Sequence, residues 1–133
     1  MQPILSITIP TFNRAEFLKQ TLDILLPQMT TDVEVVIFDN CSTDGTEEYV
    51  RSLGKAVQYI RQESNIGSDR NMVSCLTQAF GDYLWLLCDD DIPCTTAVQR
   101  ILEGIKSFPN PPMLSLRVIP GDKYLSNFDP KPV

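Results

Sequence analysis

Short apolar runs alternate along this chain with longer stretches of helical periodicity. Ile4 to Ile9, Val33 to Phe38, Ala56 to Ile60 and Tyr83 to Leu87 have the length and β-branched or aromatic content of strands. After Asn13, a residue suited to cap a helix, Phe17, Leu18, Thr21, Leu22 and Leu25 recur at helical spacing until Pro27 forbids continuation. Thr43 to Leu53 reads as a short helix. Ser68 to Phe80 reads as a longer one, with Met72, Val73, Leu76 and Ala79 on a single apolar face, and Thr95 to Phe108 as another, with Val98, Ile101, Leu102 and Ile105 inward. Strands separated by helices of this length imply parallel pairing through right-handed crossovers. The expected architecture is therefore α/β, a three-layer α/β/α sandwich on a mainly parallel, Rossmann-like sheet with Ile4 to Ile9 central and buried on both faces. Met113 to Ile119 is expected as a fifth strand, and Pro120 to Val133, rich in Pro, Gly and Asp, as a poorly structured tail. Residues 1–119 would form the domain and residues 120–133 lead away from it.

Composition matters here for what it excludes. A length of 133 residues suits one domain, and 43% hydrophobic with 21% charged residues is the balance of a globular protein. The net charge of −6 gives nucleic acid no electrostatic foothold. A nucleoside diphosphate can still bind if a divalent cation bridges it to carboxylates. Cys41, Cys75, Cys88 and Cys94 have no CxxC spacing and there is no histidine, which argues against zinc and for a reducing, cytoplasmic setting. The segment from Met1 to Pro10 lacks the charge and apolar length of a signal peptide or membrane anchor, so no membrane-spanning segment is expected there.

In an open parallel sheet ligands bind beyond the carboxyl ends of the strands. The residues at those places are Pro10, Thr11 and Asn13 after the first run, Asp39 after the second, Asn65, Gly67 and Arg70 after the third, and Asp89, Asp90 and Asp91 after the fourth. Two carboxylates ~5 Å apart at an effective dielectric of ~20 repel by roughly 3 kcal/mol, so three in succession invite a cation. Oxygen ligands select Mn2+ or Mg2+, and the DxD spacing of Asp89 and Asp91 suits either. Alternatively the three acids decorate a turn before a helix. Asp39 can accept from a base or ribose, or close an Asx-turn. Arg70 can fork a phosphate beside a helix N-terminus, or pair with Asp69 or Glu63. Thr11 and Asn13 read equally as nucleotide contacts or as strand exit and helix cap. Ser42 and Asp44 read as capping and turn residues, and Gly67 as a tight turn.

Four segments, SITIPTFNR (6–14), EVVIFDNCSTDGT (34–46), ESNIGSDRN (63–71) and GDYLWLLCDDD (81–91), together resemble the ordered motifs of family 2 glycosyltransferases, whose fold is of the GT-A type. That resemblance implies transfer of a sugar from a nucleotide-diphosphate sugar donor to a saccharide or lipid-linked saccharide acceptor. It further implies inversion at the anomeric carbon, dependence on Mn2+ or Mg2+, and a place in bacterial surface polysaccharide synthesis. Peripheral association with the inner face of the cytoplasmic membrane goes with it. By the same resemblance Thr11 and Asp39 contact the nucleoside, Arg70 lies near base or phosphate, and Asp89 to Asp91 form the metal and ribose site. Asp39, Asn40, Cys41 and Ser42 stand where the family often has Asp-Asp-Gly-Ser, and Asp69 where a small residue is common. The surroundings of Asp122 and Asp129 do not match the family's later motif, so the general base is assigned to no residue and the chain is expected to be a fragment or a short relative.

Rival readings predict other residues. A receiver-like signalling module needs an acidic pair after the first strand, where Pro10 to Asn13 stand, and a phosphoacceptor Asp after the third, where Arg61 to Ser64 stand. A nucleotidyltransferase commonly has a Gly-rich loop and a basic residue after the first strand, for which only Arg14 is available. Donor binding without turnover is a further reading.

Overall fold

The structure, a computed structural model, describes residues 2–108 and 110. Along the chain run β1 (Leu5–Thr11), α1 (Ala15–Leu25), β2 (Val33–Asp39), α2 (Thr46–Ser52), β3 (Gln58–Arg61), α3 (Ser68–Thr77), β4 (Tyr83–Leu86) and α4 (Ala97–Ser107), with single 3-10 turns at Leu26–Gln28 and Gly54–Ala56. The described strands form one parallel sheet in the order β3-β2-β1-β4. The central place expected of β1 follows from its burial on both faces, Leu5, Ile7 and Ile9 on one and Ser6 and Thr8 on the other.

Alternation along β1 and β2 separates two cores. Leu5, Ile7, Ile9, Val33, Val35 and Ile37 meet Leu18, Leu22 and Leu25 of α1, Val50 of α2 and Val98, Ile101, Leu102 and Ile105 of α4. On the opposite face Val36 and Phe38 pack with Cys75 of α3, flanked by Ile60 and Leu86. Three layers result, one of them a single helix among the described residues.

Several boundaries differ from the sequence expectation. The first strand continues through Pro10 to Thr11, because β1 pairs with β4 only as far as Thr8 while its pairing with β2 runs on. Thr8 O accepts from Leu87 N at 3.0 Å, so alternation turns the nitrogen of Pro10 to the same side, past the end of β4. The missing N–H there breaks no ladder bond. Asn13 does not cap α1; it lies outside the helix at φ 51° and Arg14 is the capping position. The second helix starts at Thr46 rather than Thr43, the third strand is displaced to Gln58–Arg61 by the 3-10 turn before it, α3 ends at Thr77, and α4 starts at Ala97.

The larger correction concerns faces. Helix α3 turns Asn71 and Cys75 inward, while Met72, Val73 and Leu76 are exposed at 38%, 55% and 53%. Asn71 Nδ2 donates to Phe38 O at 2.9 Å, a polar anchor that sets the helix's rotation. Phe17, expected on the apolar face of α1, is likewise half exposed. The fifth strand expected at Met113 to Ile119 and the tail from Pro120 lie outside the described residues. Among the described residues no helix is long and apolar enough to cross a membrane.

Candidate functional site

The order of the sheet reverses beside β1: chain order runs from β1 to β2 and β3, then returns to place β4 on the other side of β1. The carboxyl ends of β1 and β4 therefore flank the switch point, where parallel sheets open a crevice. Thr11, the last residue of β1, pairs in register with Asp39, the last of β2, and its Oγ1 donates to Asp89 Oδ2 at 2.9 Å. Two residues at strand ends and one in the segment after β4, all singled out from the sequence, are thus contiguous.

Asp89 is buried at 5% exposure, while Asp90 and Asp91 are exposed. One guanidinium serves the first two: Arg14 Nη1 lies 3.4 Å from Asp89 Oδ1, and its Nη2 donates to Asp90 Oδ2 at 2.8 Å. Burial raises the pKa of the Asp89 carboxyl, opposed by the Thr11 hydrogen bond and the charge of Arg14. Arg14 is in turn held more firmly protonated, first by its hydrogen bond to Asp90 and then by the charge of Asp89. The main chain of the triplet is tied to α1, where the buried Thr21 Oγ1 lies 2.9 Å from Asp89 O and 3.2 Å from Asp91 O, a shared donation. The exposed carboxylate of Asp91 makes no ion pair among the described residues, and its side-chain partner there is the neighbouring Cys88 thiol. The countercharge that the triplet calls for is therefore supplied at two of the three acids by the protein itself.

Asp39 is fully buried and used on both oxygens. Its Oδ1 accepts from Ser42 N at 3.0 Å and Ser42 Oγ at 2.5 Å, a bond to the main chain three residues on rather than the two of an Asx-turn, and its Oδ2 accepts from Tyr59 Oη at 2.6 Å. The Tyr59 phenol is raised far above its ordinary pKa by burial and by Asp39. Arg61 stands behind, its Nε 3.2 Å from Glu47 and 3.7 Å from Asp39, with Nη2 donating to Ser42 O at 3.0 Å.

Loops of the rim are laced together by the amides and acids between strands and helices. Asn13 Oδ1 accepts from Thr43 N at 2.7 Å and Asp44 N at 3.3 Å, and Asn13 N donates to Ser42 Oγ at 2.9 Å. Asp44 caps two helices: its Oδ2 accepts from Ala15 N of α1 at 3.1 Å, and its Oδ1 from Thr46 N at 3.0 Å and Thr46 Oγ1 at 2.6 Å. Asn40, at 3% exposure, donates to Asn65 Oδ1 and accepts from Ile66 N, both at 2.9 Å. Cys41 adopts φ 67°, the left-handed conformation that glycine takes without cost. Gly67 at φ 86° and ψ 155° makes the sharp entry into α3, where Asn65 Oδ1 accepts its N–H at 2.9 Å. Arg70 lies exposed in the first turn of α3, and the alternative pairing with Asp69 or Glu63 does not form among the described residues.

Pro10, Thr11, Asn13, Asp39, Asn65, Gly67, Arg70 and the triplet all fall on the carboxyl-end rim; Thr11, Asp39 and Asp89 adjoin, while Arg70 stands apart on α3. Thr21, Asn40, Tyr59 and Arg61 also serve the rim, and the sequence alone does not mark them as site residues. Thr21 sits inside the apolar periodicity of α1, and Arg14 stands in the sequence as a lone basic residue. Among the described residues no group of three or more acidic or thiol side chains encloses a metal. The donor set, a buried carboxylate and an exposed one with no cationic partner among the described residues, fits instead a hard cation that takes one or two carboxylates and completes its shell with water and phosphate.

The family model for glycosyl transferase family 2 matches residues 6–123. The chain is 38% identical over 94 residues to abequosyltransferase RfbV of Salmonella typhimurium, an overlap of 66% of this chain and 28% of that protein. It superposes on TarS of S. aureus, solved in complex with UDP, with a TM-score of 0.71 at 26% identity, covering 80% of this chain and 32% of that one. Mannosyltransferase PcManGT from Pyrobaculum calidifontis, solved with GDP-Man and Mn2+, shares the fold at a TM-score of 0.68 and 23% identity, over 79% of this chain and 33% of that one. The chain thus spans about a third or less of the length of these proteins.

Proposed function

This chain belongs to glycosyl transferase family 2 and has the GT-A fold, and we propose that its rim binds the donor in a transferase that moves a sugar from a nucleoside diphosphate sugar to an acceptor hydroxyl with inversion. The observation that carries the reading is the contact of Thr11 Oγ1 with Asp89 at the switch point, in register with Asp39. It joins the first, second and fourth motifs into one surface at the place where a parallel sheet receives a ligand.

In this reading Thr11 and Asp39 face the nucleoside, and Pro10 and Asn13 shape the loop beside them. Because Asp39 is fully buried behind Ser42 and Tyr59, a ribose or base reaches it only if those side chains move. Asn65 and Gly67 hold the entry to α3 so that Arg70, free of any acidic partner among the described residues, can fork a phosphate. Asp89 and Asp91 would hold Mn2+ or Mg2+, with Asp90 toward the ribose. Such an ion would offset the charge gathering on the departing diphosphate. Thr21 and Thr11 keep the triplet in place from behind, so that little reorganisation is needed when charge develops. The acceptor is proposed to be a saccharide or lipid-linked saccharide of a bacterial surface polysaccharide, met at the inner face of the cytoplasmic membrane.

Calorimetry with UDP, GDP, CDP and dTDP in the presence and absence of Mn2+ tests the reading. One nucleotide should bind with heat that depends on the metal, and Asp91→Ala should weaken that binding at least tenfold, the scale expected for loss of a metal ligand or its support. If none of the four gives metal-dependent heat, the donor-site assignment is wrong.

A further inference from the structure

The ion pairs of Arg14 carry a consequence for how the site loads. We infer that Arg14 is a resident counter-cation of the acid triplet, which an incoming divalent metal has to displace, so that this one side chain couples metal binding to diphosphate binding. The inference rests on the proposed role of Asp89 and Asp91 as metal ligands.

Each oxygen of Asp89 has one protein partner: Oδ2 takes the Thr11 hydroxyl, and Oδ1 faces Arg14 Nη1. Thr11 is 3% exposed and fixed by strand pairing, whereas the Arg14 side chain is 41% exposed. A metal approaching Asp89 therefore competes at Oδ1, where a guanidinium and a divalent ion repel one another across one carboxylate. Arg14 has a second seat. Its guanidinium carbon already lies 4.9 Å from the centroid of the half-exposed Phe17 ring, a contact that needs no acid. Arg14 already lines a concavity of about 540 Å³ whose other charged residues are Glu16, Lys19 and Asp44, two acids to one base, which leaves room for the side chain to move.

The charge balance sets the order of preference. With Arg14 in place the triplet carries a formal charge of about −2, so a metal alone gains less than it would from three unpaired acids. A metal arriving with a diphosphate gives the released guanidinium new phosphate oxygens to pair with. The metal and the diphosphate then each bind more tightly in the other's presence, a coupling that is reciprocal by thermodynamic necessity.

Mn2+ binding followed by the loss of the free-ion EPR signal, without turnover, tests this in the wild type, Arg14→Gln and Arg14→Lys. Titrations would be run with the metal alone and with saturating UDP, GDP, CDP or dTDP. Removing the charge should tighten binding of Mn2+ alone by about tenfold and shrink the gain conferred by the nucleotide, while Arg14→Lys should lie between. Circular dichroism and melting temperature establish that each variant is folded, as expected for an exposed side chain whose main chain makes the cap. Equal or weaker Mn2+ affinity in folded Arg14→Gln overturns the inference and leaves Arg14 as a clamp that orients the acids. Failure of the wild type to bind Mn2+ even with nucleotide would instead remove the metal-site reading beneath it.

Discussion

Replacing Asp44 by Ala removes one carboxylate and uncaps two helices. Its two oxygens accept the N–H of Ala15 at the start of α1 and the N–H and hydroxyl of Thr46 at the start of α2. Loss of a helix cap costs about 1 kcal/mol, so two caps lost together should cost about 2 kcal/mol. In a domain of this size that corresponds to a fall in melting temperature of roughly 8 °C, at about 4 °C per kcal/mol. Asp44→Asn keeps only one good acceptor and should lose about half as much. The pH dependence follows from the same bonds. Burial pushes the Asp44 carboxyl up, but the bonds from Thr46 and Ala15 together outweigh it and hold the pKa below its ordinary value. A depressed folded value means that the contribution is present above the unfolded pKa of about 3.9 and is lost as pH falls through the folded one. Urea unfolding of the wild type and both variants between pH 7 and pH 3 measures this. A cost below about 0.5 kcal/mol at pH 7, or an undiminished gap between wild type and Asp44→Ala at the acid end, would refute the double-cap argument.

Two further outcomes are expected. Gly81→Ala should destabilise by about 1–3 kcal/mol in urea, because its Cβ would stand 2.6 Å from Ser6 N and 3.0 Å from Leu5 C of the central strand; a loss under about 0.5 kcal/mol would show that β1 can yield. Burial pushes the Cys75 thiol up to about 12, so at pH 8 in the native protein its alkylation should be roughly a thousandfold slower than that of an ordinary thiol. Mass spectrometry after iodoacetamide reads this directly, and labelling of Cys75 as fast as the exposed Cys88 would refute the packing described for α3.

The strands were legible because each is a compact apolar run, and β1 betrayed its central place by having no solvent-ready face. Helices α1 and α4 were legible because their apolar residues recur on a stripe that meets the larger core. On α3 the same rule pointed at Met72, Val73 and Leu76, which lie outward. Periodicity tells which residues share a face, but the rotation of α3 is fixed by Asn71 on Phe38 O and by Cys75 in the smaller core, and neither partner is near it in sequence. The rim was legible for a comparable reason: residues that follow a parallel strand have to emerge at one edge.

The order of strands and helices, the edge at which the acids gather and the family to which the chain belongs were thus determined by the sequence, since apolar runs and motif order are local properties. Which side chains those acids meet was decided only by the tertiary structure. Arg14 on Asp89 and Asp90, Tyr59 and Ser42 on Asp39, and Asp44 on two helix ends join residues brought together by sheet register and by loops folding over it. A charge in the sequence calls for a partner without naming one, and the choice falls to whichever group the fold leaves within hydrogen-bond reach when water is withdrawn.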